Sequence, residues 1–260
     1  MSLIKTTGIV TKTTKYGETG LIVTMLTSDF GKISAIAGNA RSKRSRMLAG
    51  LQLFAYSEIV MYKAKSKSGL YNIDEMNVLE GFGALRLDLE KMAYAAYFAE
   101  ATSGAVPEDD NDDEVLRLLL NTLYALDRGL CDYKKIKTVF EWRLVAIAGY
   151  SPQLKNCGGC GCEEGIFGIS LADGTVFCKD CTGERKNVAE LSDNMRRLVE
   201  YIVSADSKKI FSFEVNDETI AYIGKVSEMY LSVQLDREFK TLDYLKKVEQ
   251  LGEVNNAEQD

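Results

Sequence analysis

Four of the six cysteines in the 260-residue chain fall in two pairs, Cys157-x2-Cys160 and Cys178-x2-Cys181, with 17 residues between them. Two residues between cysteines let both thiolates of a knuckle face one ion at about 2.3 Å, and paired knuckles at this spacing read as a zinc ribbon. The intervening stretch 165–178 predicts a hairpin around Asp173-Gly174, which would fold the second pair back onto the first. Four thiolates close a tetrahedron and leave no position for water, so the expected role of one zinc per chain is structural. Two other readings compete. One is a redox dithiol, which lacks the βαβ setting of thioredoxin-like motifs; the other is a pair of disulfides, which a reducing compartment disfavours. Cys162, in the run CGGCGC, either replaces Cys160 as ligand or is spare, and the spare reading is preferred. Cys131 reads as an ordinary half-buried thiol.

The second chemical feature is a run of cations. Residues 38–46 read GNARSKRSR, so Arg41, Lys43, Arg44 and Arg46 crowd six positions among small polar side chains. Such a loop suits phosphates: the cations release counterions and serine hydroxyls add hydrogen bonds. Lys32, at the end of a hairpin, and Lys12 and Lys15, after the first strand, are candidates to extend the patch. Tyr16, Phe30 and Tyr56 are candidate stacking surfaces, although an aromatic in a strand more often serves a core. No base-reading helix accompanies the loop, so the expected binding is to backbone with little sequence preference. The alternative is a solvated surface turn.

Charge and composition support a binding role. Residues 1–80 carry eleven Lys/Arg against six Asp/Glu, net +5, which leaves 21 against 32, net −11, for the rest of a chain whose total is −6. A basic module on an acidic body points to a polyanion ligand for the first part. Histidine is absent, which removes serine-type triads, mixed His/Cys metal sites and the common catalytic zinc sites. Carboxylate, lysine and thiol chemistry survive, so a thiol oxidoreductase or a metal-dependent nuclease stays as a rival, but a non-enzyme is expected. The acidic run 108–114 is the one dense carboxylate cluster in the sequence, and it reads as a helix entrance. No apolar run approaches the length that spans a bilayer, and the first residues lack a signal-peptide core. A cytoplasmic protein is expected, with no membrane partner.

The elements that must position these groups follow from periodicity. Residues 4–13, 20–27, 31–38, 52–64 and 69–79 are β-branched runs separated by turn residues, which predicts five strands. Five strands in about 80 residues favour a small closed barrel, with an OB-fold leading and an SH3-like barrel as the alternative. Beyond residue 82 the period becomes helical: an amphipathic helix from Leu85 to about Thr102, others over 115–126 and 136–147, a fourth opened by Ser192-Asp193, and two more over 217–235 and 241–251. A short strand is expected at 210–215. The fold class is therefore α+β. The expected organisation is an N-terminal OB-fold barrel over 1–80 and an α-helical domain over 81–252 with an inserted four-cysteine zinc ribbon at 155–185, followed by a flexible tail at 253–260.

The order of these parts resembles the bacterial RecO family of recombination mediators over nearly the whole chain. The resemblance is carried by GIV, a Tyr-Gly-Glu turn, a strand ending in Leu-Thr, Phe-Gly-Lys, the basic loop and Leu-Gln-x-Phe. Further on, Ala146-x-x-Gly149-Tyr150-x-Pro152 precedes the cysteine pairs, and Tyr230-Leu231 precedes Phe239-Lys240-Thr241. The resemblance implies binding of single- and double-stranded DNA and annealing of complementary strands. It also implies partnership with RecR and the single-strand-binding protein in loading the recombinase RecA. It assigns DNA contact to Lys32, Arg41, Lys43, Arg44 and Arg46. The cysteines are not universal in the family, which implies a zinc dispensable to the shared activity. The alternative function is an OB/zinc-ribbon module that binds RNA in transcription or translation, which a preference dependent on the 2′-hydroxyl would reveal.

Overall fold

The computed structural model describes residues 3–42, 47–63, 70–106, 113–183 and 185–257, with backbone alone for 253–257. The chain forms two compact units, residues 1–127 with 241–260, and residues 128–240. The strand-rich part ends near residue 80, as the sequence expects, and the first compact unit continues beyond it through helices.

The first unit is built on a barrel of β1 (Leu3–Tyr16), β2 (Gly20–Thr27), β3 (Gly31–Ala37), β4 (Tyr56–Lys63) and β5 (Tyr71–Glu80), closed in the order β1-β2-β3-β5-β4. β3 and β5 pair in parallel, and every other neighbour is antiparallel. This closed Greek-key order is the OB-fold and leaves no open edge. Alternation along the strands sends Val10, Val23, Met25, Ile33, Ala35, Ile59, Met61 and Ile73 into a common interior. Residues 52–55, which the sequence joins to the fourth strand, instead form turns, and β4 starts at Tyr56.

A 3-10 turn (Gly83–Leu87) leads into α1 (Leu89–Ala105), where the Asp88 carboxylate accepts from the N–H groups of Glu90 and Lys91 at 2.8 and 3.1 Å. The sequence suggests an amphipathic α1. In the structure Ala93, Tyr94, Ala95, Tyr97, Phe98 and Ala101 are all buried, so this helix is enclosed on most sides. α2 (Asp113–Arg128) begins with the Asp113–Arg117 ion pair. The rest of the expected acidic entrance, 108–112, lies outside the described residues. α7 (Lys240–Ala257) returns to this unit, and Glu100 accepts from the backbone N–H and hydroxyl of Thr241. The tail expected to be flexible over 253–260 is helical backbone as far as Ala257.

The second unit pairs α3 (Tyr133–Val145), which runs into one π turn (Ala146–Tyr150), with α6 (Asp217–Gln234). Trp142 and Tyr230 stack at 5.2 Å between ring centres, and Lys137 of α3 lies between Glu141 and Glu228 at 2.8 and 3.0 Å. α5 (Asp193–Ser204) is capped by Ser192. Between α3 and α5 stand β6 (Ile166–Ser170), β7 (Val176–Cys178), the short α4 (Lys179–Thr182) and β8 (Val188–Glu190), with the strands ordered β7-β6-β8. The strand expected at 210–215 does not form. That segment starts in a turn and continues as irregular chain, and its Phe213 packs edge-on against Tyr201 while the Phe213 carbonyl accepts from Lys135.

Candidate metal centre and nucleic-acid interface

The β6–β7 hairpin turns at Asp173-Gly174, with Gly174 at φ 64°, and this fold-back brings the two cysteine pairs together. The Sγ atoms of Cys157, Cys160, Cys178 and Cys181 all lie within 4.8 Å of one another, and those of Cys160 and Cys178 are 3.8 Å apart. A tetrahedral ion with sulfur ligands at about 2.3 Å requires sulfur–sulfur edges of about 3.8 Å, so these thiols are spaced for one such ion. Gly159 permits this approach: a Cβ there would stand 2.8 Å from both Cβ and Sγ of Cys181.

The local electrostatics also call for a cation. The backbone N–H groups of Cys178 and Gly159 point at Cys157 Sγ from 3.3 and 3.4 Å. The Cys178 N–H contributes most to bringing the Cys157 thiol down to about 5. Cys160 is lowered as well, chiefly by the backbone N–H of Cys162. Cys181 is pushed up to about 12, first by its contact with the side chain of Cys178. Sulfurs this close cannot all ionise alone, and a divalent cation would replace the protons they hold. Cys157 and Cys178 are buried, Cys181 is half-buried and Cys160 is exposed. Cys162 sits outside the set of four but packs against it. β8 was not foreseen, since Val188-Ala189-Glu190 is too short to show alternation.

The candidate cations of the barrel have different fates. Lys43, Arg44 and Arg46 lie outside the described residues. Arg41 is exposed, and its guanidinium donates to the carbonyls of Gly17 and Glu18, so the start of the basic loop is folded onto the β1–β2 turn. Lys32 is half-buried on the outer face of β3, and its ammonium donates to the carbonyls of Ser103 and Val106 at 3.1 and 3.2 Å. It thereby satisfies C-terminal carbonyls of α1 and sets a cation where the helix dipole favours one. Lys12 and Lys15 are both exposed, but a bulge between Val10 and Lys12 resets the alternation. Lys15 then faces Leu21 on the inner side and Lys12 faces Thr24 on the outer side, so the two do not share a face. Of the aromatics, Phe30 is tilted against Tyr71 at 6.1 Å, Tyr56 hydrogen-bonds to Thr7, and Tyr16 is exposed at the β1–β2 turn.

A closed OB barrel followed by a helical body that carries a four-cysteine ribbon defines the class of two-unit OB-fold proteins with a ribbon-bearing helical body. Residues 1–82 match the family model described as recombination protein O N terminal, and residues 86–243 match recombination protein O C terminal. The chain belongs to the RecO family. It is 33% identical over 253 residues to the DNA repair protein RecO of Acetivibrio thermocellus, covering 96% of this chain and 99% of that one. With the protein of that name from Alkaliphilus metalliredigens it shares 32% identity over 248 residues, 95% and 100% of the two chains. The Bacillus pumilus protein is 30% identical over 256 residues, 98% of each.

Proposed function

We propose that this chain is a non-catalytic DNA repair and recombination mediator. It binds single- and double-stranded DNA through the barrel and anneals complementary strands. With RecR it helps load RecA onto strands coated by the single-strand-binding protein. The observation that carries this reading is the closed OB barrel, which a RecO family model matches from end to end and whose rim holds exposed cations at Lys12, Lys15 and Arg41. The loop cations Lys43, Arg44 and Arg46 complete the interface, which tracks phosphates. Lys32 contributes by fixing α1 against β3, and any phosphate contact it makes adds to that. The ion in the four-cysteine site is zinc, one per chain, held by Cys157, Cys160, Cys178 and Cys181; when bound it cross-links the two knuckles. The protein acts in the cytoplasm on the nucleoid.

Annealing of complementary strands coated with the single-strand-binding protein tests the proposal. The parent accelerates annealing with no turnover of DNA under magnesium. The quadruple Ala variant at Arg41, Lys43, Arg44 and Arg46 loses affinity for unrelated sequences about equally. Its salt slope flattens by roughly 0.7 to 0.9 per phosphate contact removed. Undiminished annealing by this variant across salt concentrations would place the interface elsewhere, a loss confined to one sequence would mean base reading, and a strict RNA preference would refute the mediator role.

A further inference from the structure

A fifth cysteine packs against the four whose sulfurs are spaced for a tetrahedral ion. Cys162 lies two residues beyond Cys160, and its backbone carbonyl accepts from the Cys157 N–H at 2.8 Å. Its side chain packs with Cys157, Phe177 and Cys178, and its thiol donates to the Glu164 carbonyl at 3.3 Å. Gly161 between them, at φ 78°, turns the backbone sharply, and its N–H donates to the Cys157 carbonyl at 2.9 Å, so Cys160 and Cys162 belong to the same tight knuckle. Exposure differs among the ligands, with Cys160 exposed while Cys157 and Cys178 are buried. A small oxidant therefore meets Cys160 first, and the nearest sulfur outside the ligand set is that of Cys162.

Building on the metal reading above, we infer that Cys162 is the resolving thiol of an oxidative metal-release switch, in which a hydroperoxide oxidises Cys160 and Cys162 closes a disulfide onto it. The Cys160 thiolate attacks the terminal peroxide oxygen. The O–O bond breaks, the alkoxide leaves and takes up a proton as alcohol, and Cys160 becomes a sulfenic acid. Cys162 sulfur then attacks Cys160 sulfur, and hydroxide departs with the Cys162 proton as water. The two sulfurs lose two electrons and the peroxide gains them. The ion is left with Cys157, Cys178 and Cys181, an incomplete set that loses the closed tetrahedron. A thiol reductant restores Cys160 and allows reloading.

The test uses full-length protein purified reduced, with its zinc counted beforehand. Hydrogen peroxide is added, released zinc is read with a chromogenic chelator, and peptide mass spectrometry maps the cysteines. The expected result is release of about one zinc per chain, with a Cys160–Cys162 disulfide in the same peptide and recovery by dithiothreitol and zinc. Cys162→Ser should hold zinc like the parent before oxidation, but afterwards carry Cys160 as sulfinic acid and fail to reload. Reversible release by Cys162→Ser, or a disulfide joining Cys160 to Cys157, Cys178 or Cys181, overturns the inference. So does loss of zinc from Cys162→Ser before any oxidant, since Cys162 would then be a ligand. Protein without zinc at the outset refutes the metal reading and this inference together, whereas zinc present with no Cys160–Cys162 bond refutes this inference alone.

Discussion

Replacing Lys137 by Met should be among the most destabilising single changes in the unit that carries the cysteine ribbon. Lys137 joins α3 to α6: its ammonium is 2.8 Å from Glu141 and 3.0 Å from Glu228, and Glu141 also accepts from the Ser227 hydroxyl at 2.6 Å. The Glu141 side chain is 0% exposed and that of Lys137 11%, so the pair is screened little by solvent. Removing one partner of such a pair strands a buried charge and costs about 3–5 kcal/mol. At about 4 °C per kcal/mol for a unit of this size, the melting temperature should fall by on the order of 12–20 °C. The double variant Lys137→Met/Glu141→Leu should recover most of the loss, because apolar replacement of a whole buried pair is close to neutral. Glu141 and Glu228 together outweigh burial and raise the Lys137 pKa. A raised lysine contributes fully below its unfolded value and loses that contribution as pH rises through the folded value, so the parent keeps it throughout neutral pH. In Lys137→Met the stranded carboxylate gains affinity for protons on folding, so its deficit should shrink as pH falls. Calorimetry and urea unfolding of zinc-loaded proteins from mildly acidic to mildly alkaline pH measure both effects. A single-variant loss under about 1 kcal/mol, or a double variant as unstable as the single, would refute the reasoning.

Lys32→Met removes two charge-assisted bonds to the end of α1 and should cost about 1.5–3 kcal/mol each at most, with little change in the salt dependence of DNA binding. A slope reduced by about one in fluorescence titrations would instead show a phosphate contact. Gly159→Ala forces a methyl to within 2.8 Å of Cys181 sulfur and should weaken metal binding by roughly 10–100-fold in chelator competition, as disturbed metal shells do; unchanged affinity would mean that the knuckle yields freely. Zinc release should increase as pH falls, since protons compete for every thiolate, and release that is independent of pH would argue against thiolate ligation. Asp88→Ala should cost about 1 kcal/mol by uncapping α1, measured by urea unfolding, and a neutral outcome would mean that water replaces the cap.

The features most legible in the sequence are those set by local spacing. Cysteine pairs, an Asp-Gly turn and β-branched runs between turn residues each encode their geometry within a few positions, and the cysteine cluster and the five barrel strands form, with the fourth strand starting later than expected. Misreadings arise where tertiary partners decide. Residues 210–215 have strand-like composition, but Phe213 finds an aromatic neighbour in Tyr201 and a cation over its ring in Lys135, and among the described residues no strand pairs with the segment. α1 shows helical spacing, yet its alanines and aromatics are buried on faces that a simple amphipathic pattern leaves to solvent. The short β8 depends on its pairing with β6 and has no periodic signal of its own.

Charge is the clearest example of a quantity that sequence counts and structure spends. The net +5 of residues 1–80 treats every cation as available, but the ammonium of Lys32 is occupied by two helix-end carbonyls and part of the Arg41 fork by a turn. A guanidinium has five donors, so Arg41 can hold the turn and still meet a phosphate, whereas a half-buried ammonium with two carbonyl partners has little left to offer. Strand alternation adds a second limit, because the three-residue spacing of Lys12 and Lys15 sets them on opposite sides of the strand and a phosphate backbone running along one face would meet only one of them there. The counterion release available to the barrel is thus smaller than its sequence charge suggests. If the barrel binds DNA as proposed above, few phosphate contacts would give that binding a shallow salt slope.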